Sequence, residues 1–111
     1  MRISVCHCLD CQKRSGSAFA VQARFPAEQV EVAGEAKSWT AVGDSGGSAT
    51  FHFCPTCGGT VWYSGGGFAD LIAIPVGTFA DPHFPPPRLS VWEERKHEWV
   101  EIRGEGVEHY D

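Results

Sequence analysis

Apolar and polar positions alternate with a period of two along much of the chain, the signature of half-buried strands. Residues 19–25 place Phe19, Val21, Ala23 and Phe25 on one face, and Pro26 stops the run. Val30, Glu31 and Val32 alternate again before Gly34, and residues 37–42 put Trp39 and Ala41 on a common face. Gly43, Asp44, Ser45, Gly46, Gly47 and Ser48 have the composition of a hairpin loop. Strands are expected over residues 50–53 and 60–63, either side of a cysteine turn. Residues 70–76 form the most apolar run and predict a core strand, with Pro75 marking an edge or bulge. Residues 89–92 predict a last strand or edge.

The intervening stretches read as connections. Gly65, Gly66 and Gly67 form a turn, with a plain flexible turn favoured over an anion-binding nest because no helix start follows. Residues 77–82 read as a loop, and Pro85, Pro86 and Pro87 as a stiff extended spacer. The charged tail from residue 93 has Trp99, Val100 and Ile102 as its expected anchors. Helix is scarce, confined to a turn or two at residues 26–29 and 93–99. The pattern predicts one all-β domain over residues 1–111, with short strands and a small core stabilised by metal.

Composition narrows the setting. The chain has 111 residues, enough for one core. A formal charge of −5 disfavours a nucleic-acid surface. No apolar run approaches the roughly 20 residues of a membrane span, and the start is too short for a signal peptide before the first cysteine. Clustered cysteines in such a chain fit the reducing cytoplasm, where they bind metal or act chemically.

The five cysteines fall in two clusters: Cys6, Cys8 and Cys11, then Cys54 and Cys57. C-x-C and C-x-x-C spacing presents two sulfurs from one backbone turn, which suits zinc. Two arrangements stand open. Cys6, Cys8 and Cys11 could hold zinc with an open fourth position for water or a substrate thiol, or Cys8, Cys11, Cys54 and Cys57 could form one closed site with Cys6 spare. His7 and His52 are possible fourth ligands, with a supporting or surface role favoured. Asp10 could serve acid–base chemistry, although an exposed polar role is favoured. Lys13 and Arg14 would draw an anionic substrate toward the metal, or form a solvated basic pair. Ile3, Ser4 and Val5 run straight into the first cluster, and a strand there is expected to pair with an earlier segment.

In context, the chain resembles the glutathione-dependent formaldehyde-activating enzyme family, which also includes centromere protein V-like proteins. The matching pieces are Cys6-His7-Cys8-x-x-Cys11, then Arg14-Ser15-Gly16-Ser17-Ala18-Phe19-Ala20, Phe53-Cys54-Pro55-x-Cys57-Gly58 and Ile74-Pro75-Val76-Gly77-Thr78. The resemblance implies a β-tent fold of small antiparallel sheets around zinc. It implies that Cys6, Cys8 and Cys11 hold the catalytic zinc. Cys54 and Cys57 would then hold half of a structural zinc, completed in the family by a C-x-C pair in an N-terminal strand. That pair is not in this sequence. An N-terminal segment preceding Met1 is therefore expected, or a homodimer sharing one metal through Cys54 and Cys57 of each chain, or an empty second site prone to oxidation. The implied reaction joins formaldehyde to glutathione, giving S-hydroxymethylglutathione. The alternative is a non-catalytic structural zinc module for protein interaction.

Overall fold

The computed structural model describes residues 1–43 and 46–111; Asp44 and Ser45 of the expected hairpin loop lie outside the described residues. The strands are β1 (Arg2–Cys6), β2 (Ala20–Pro26), β3 (Lys37–Val42), β4 (Ser48–Phe53), β5 (Thr60–Gly65), β6 (Phe68–Pro75), β7 (Leu89–Val91) and β8 (Glu108–His109). One α-helix, α1 (Leu9–Ser15), follows β1. Short 3-10 turns occupy Ala27–Gln29, Val76–Phe79 and Glu93–Arg95. Among the described residues the eight strands join as one sheet in the order β3-β4-β5-β6-β2-β1-β7-β8. Pairing is antiparallel except where β7 joins β1 and β8 joins β7. The all-β expectation holds, and no helix among the described residues is long and apolar enough to cross a membrane.

Register turns the alternation of each strand into continuous rows. On one face a row runs Trp39, Phe51, Tyr63, Ala73, Arg24 and Arg2 across six strands. Its first three rings touch, with centroids 5.2 Å apart for Trp39–Phe51 and 4.9 Å for Phe51–Tyr63. Ser4 beside Gln22 and Leu89, and Cys6 beside Ala20 and Val91, continue this face along β1. Buried Phe51, Tyr63 and Ala73 form one apolar centre there. The opposite face of β1 and β2 buries Ile3, Val5 and Ala23. Tight interlocking of this kind leaves little freedom to shift register, because a slip of one residue would exchange the two faces.

Turn chemistry sets the ends of the central strands. Gly65 has φ 98°, and a Cβ there would run into the Ser48 carbonyl oxygen. Gly66 N–H donates to that same oxygen at 2.9 Å, which ties the turn between β5 and β6 to the start of β4. The turn is therefore close-packed at Gly65, while Gly66 and Gly67, with φ 66° and 88°, face open space. Pro75 is the last residue of β6, paired with Gln22 where the ladder with β2 ends.

Four expectations are corrected. β1 pairs along its length with the later strands β2 and β7, not with an earlier segment. Val30–Val32 is not a strand: Val30 N–H turns back to Ala27 O at 3.1 Å, and β3 provides the sheet edge instead. β7 is not the last strand, since β8 adds to it. Trp99 is 76% exposed whereas its neighbour Val100 is 7% exposed. Adjacent side chains point apart, so only one of the two anchors the tail.

Candidate metal centre and cleft

β1 delivers Cys6 to the cleft face, and the chain then turns at His7, whose N–H donates to Val91 O at 3.1 Å. Cys8 caps α1 in extended conformation (φ −61°, ψ 154°), and its Sγ accepts from Cys11 N–H at 3.3 Å. Gly16, with φ 67°, closes the helix through its N–H to Gln12 O. A sulfur N-cap thus places Cys11 one turn above Cys8, where the sequence pattern predicted only a knuckle. The three Sγ atoms lie within 4.8 Å of one another. Tetrahedral zinc with bonds of about 2.3 Å needs ligand sulfurs about 3.8 Å apart, so the set fits with a small inward adjustment.

Cys6, Cys8 and Cys11 are the one group of three or more such ligands among the described residues. Cys54 and Cys57 do not join Cys8 and Cys11, so the single four-thiol arrangement is not assembled. Neither histidine joins the group. His7 is fully buried, with Nε2 2.9 Å from Ser90 Oγ and its ring beside Phe19. His52 stacks on Trp62 with centroids 3.7 Å apart. Asp10 is exposed at the cleft wall.

The thiols polarise one another. Hydrogen bonding from Cys6, then Cys8, and the charge of Arg14 bring Cys11 down to about 6 against the opposing effect of burial. Cys6 is pushed up by its hydrogen bond to Cys11 and by burial. Burial raises Cys8 as well. Arg14 Nη2 lies 4.0 Å from Cys11 Sγ. Three soft sulfurs, one readily ionised and two held back by burial and mutual charge, form a donor set that a soft divalent cation completes.

A cleft of about 720 Å³ opens beside Cys6 and Cys11. Arg2, Lys13, Arg14 and Arg24 give it positive charge against one carboxylate among the described residues, Asp10. Trp39, Phe51, Tyr63, Phe68 and Trp92 give it aromatic walls. The Arg14 guanidinium sits 4.8 Å from the ring centres of both Phe51 and Tyr63, and that of Arg24 sits 4.0 Å from Phe68. Burial pushes Tyr63 up to about 12. Within the cleft, Gln22 Nε2 and Arg24 Nη1 both donate to Ser4 Oγ, at 2.8 and 3.1 Å. Gln22 Oε1 is buried without a partner among the described residues.

The second cluster has a different form. Cys54 N–H donates to Gly59 O at 2.9 Å and Gly58 N–H to Cys54 O at 2.8 Å, with Gly58 at φ 78°. Thr56 N–H and Gly59 N–H each donate to a cysteine sulfur, Cys54 and Cys57 respectively, at 3.4 Å. Backbone donors from Cys57 and Thr56 lower the pKa of Cys54. Cys57 is exposed and Cys54 half-buried. This turn holds two sulfurs ready for a metal, and no third ligand gathers with them among the described residues.

Several cleft residues were not singled out by the sequence pattern. Ser4, Gln22 and Arg24 sit at the polar positions of alternating strands, which reads as a solvated face. The only signal in the sequence was that Gln22 and Arg24 interrupt the strand preceding Pro26 with long polar side chains. Trp92 carried no signal beyond being the last residue of an expected edge.

Among curated proteins, none matches the chain. The family model described as Glutathione-dependent formaldehyde-activating enzyme matches residues 1–95, spanning both cysteine clusters and β1 through β7. On that coverage the chain belongs to the glutathione-dependent formaldehyde-activating enzyme family.

Proposed function

We propose that the protein binds a small thiol of the glutathione type at the Cys6, Cys8 and Cys11 centre and forms or cleaves an S-hydroxymethyl adduct. That is carbon–sulfur lyase chemistry. The observation that carries it is the opening of a basic cleft directly onto Cys6 and Cys11. A zinc ion held by Cys6, Cys8 and Cys11 would supply a position at which an added thiol ionises at neutral pH.

In the synthetic direction the substrate sulfur adds to the formaldehyde carbon. The C=O π pair moves to oxygen, which takes a proton from water. Lys13 and Arg14 face the cleft and attract the carboxylates of the incoming thiol. Arg14 is also close enough to Cys11 to offset negative charge gathered on the sulfurs. Its guanidinium rests over the adjacent rings of Phe51 and Tyr63, so this charge is positioned before substrate arrives.

Cys54 and Cys57 serve in this scheme as structural ligands, and residues 1–111 act as one zinc-binding domain. A second copy offering the same pair would complete four thiolates, which the solution mass with and without chelator checks. Thiol chemistry of this type belongs in a reducing compartment such as the cytoplasm. A closed interaction module is less well supported, because its metal would need no open cleft.

The test is X-ray absorption on zinc-loaded protein with and without glutathione. The expected result is a sulfur shell that gains a scatterer when glutathione is added, and loses the response in Cys8→Ser. An unchanged shell would overturn the proposal.

A further inference from the structure

The cleft is larger and more aromatic than a one-carbon aldehyde requires. Pockets of roughly 300–1,000 Å³ enclose drug-sized ligands, and this one measures about 720 Å³. A peptide thiol could use the cations but offers no ring to the aromatic walls.

Three observations describe what else should lie there. First, positive charge is concentrated against the trend of the chain, whose net charge is −5. Arg2 and Arg24 stand directly opposite each other in the β1–β2 register. Like charges so placed repel, and the partners of Arg24 among the described residues, the Ser4 hydroxyl and the Phe68 ring, carry no negative charge. Second, two large rings are left half in water at the cleft: Trp39 is 49% exposed and Trp92 is 51% exposed. Trp92 is held at φ 58°, an uncommon and strained conformation for a bulky side chain. Third, Gln22 is 3% exposed, its Nε2 is committed to Ser4, and its Oε1 lacks a donor. Ser4 and Gln22 sit two residues along the same face from Cys6 and Ala20.

We infer that the cleft takes, beside the thiol, a carbonyl substrate with a flat aromatic body and a carboxylate, an aryl aldehyde acid. The ring lies against Trp92 and Trp39, and the carboxylate lies between Arg2 and Arg24. The reaction assigned to this substrate rests on the proposed thiol chemistry; its binding does not. The thiolate sulfur forms a bond to the aldehyde carbon, the C=O π pair moves to oxygen, and oxygen takes a proton from water. The product is a hemithioacetal, with no change of oxidation state.

The test uses the full zinc-loaded chain without thiol and follows the four indole N–H resonances by NMR. The probes are 4-formylbenzoate, benzaldehyde (ring without charge) and glyoxylate (charge without ring). The expected result is that 4-formylbenzoate binds at least about tenfold tighter than either control. It should shift Trp39 and Trp92 while Trp62 and Trp99, which do not line the cleft, stay in place. Trp92→Ala and Arg2→Gln should each weaken binding by about tenfold. Equal affinity for benzaldehyde or glyoxylate, or shifts absent from Trp39 and Trp92, would overturn the inference. Because the comparison among probes uses wild-type protein, it does not depend on either variant folding. Binding of 4-formylbenzoate by protein that fails to bind glutathione sustains the cleft assignment and sinks the thiol reaction. Glutathione binding without any 4-formylbenzoate response does the reverse.

Discussion

The two cysteine clusters share a ligand type and differ in nearly everything else. Cys54 and Cys57 lie on a turn that is complete in itself, with sulfurs held by backbone N–H donors from residues two positions on. Cys6, Cys8 and Cys11 span a strand end, a helix cap and a first helical turn within six residues, and β1, fixed between β2 and β7, sets them beside the cleft. Both arrangements are local in sequence; the Cys57 side of the knuckle is exposed, whereas Cys6 and Cys11 face a charged aromatic cleft. A short stretch of backbone is enough to prepare the ligands; placing a substrate surface beside them takes a sheet.

The largest effect should come from separating the clusters chemically. Cys8→Ser should lower metal affinity at the first site by about 100-fold or more, with loss of glutathione-dependent adduct formation. Cys57→Ser should leave adduct formation within about threefold, corresponding to less than 1 kcal/mol. Zinc stoichiometry and a formaldehyde-consumption assay on both variants would show whether the clusters are independent, and equal losses would erase the distinction.

Next in size is the wall that the cleft shares with the core. Phe51→Ala removes a ring packed on Trp39, Tyr63 and Arg14, and should cost about 3–5 kcal/mol in urea unfolding. Gly65→Ala should cost about 1–3 kcal/mol from its positive φ, with the Ser48 carbonyl contact adding to this. This substitution acts at the far end of β5 from the outer knuckle, so the amide pattern of Cys54–Gly59 should persist in NMR spectra. Its collapse would mean that the knuckle is not self-contained.

The smallest effect concerns the strands behind His7. Burial raises the Glu93 carboxyl, but hydrogen bonds from Ser90 and His109 outweigh it and hold the group below its ordinary value of 4.5. Glu93 Oε2 lies 2.7 Å from His109 Nδ1. Because the folded pKa is depressed, this stabilisation is present above the ordinary value and is lost as pH falls through the folded one. Glu93→Gln should therefore cost under about 1 kcal/mol at pH 6, a cost that shrinks as pH falls through the folded value, as read by paired denaturation curves. A cost that does not shrink on acidification would show that the carboxylate charge is not its source.

Much of this was legible in the residues. Spacing alone marked both clusters, and alternation located β2, β3, β4, β5 and β6 closely. The turns at residues 26–29 and 93–99 appear as Ala27–Gln29 and Glu93–Arg95. The helix over Leu9–Ser15 was hidden by its own cysteines, since a C-x-x-C run also fits a non-helical knuckle and only the cap at Cys8 separates the two. Ser4, Gln22 and Arg24 were hidden for another reason. A polar face reads as solvated until one knows that it lines the same cleft as α1 and the rings of β3, β4 and β5.

What the chain determined by itself is short in range: cysteine spacing, glycines where φ must be positive, and strand periodicity. These depend on a few neighbouring dihedrals and on which side chains avoid water. Tertiary structure alone decided that β1 pairs forward in sequence, and that the clustered cysteines, opposed arginines and half-exposed tryptophans border one cleft. Those outcomes depend on register between strands tens of residues apart, which local sequence does not encode.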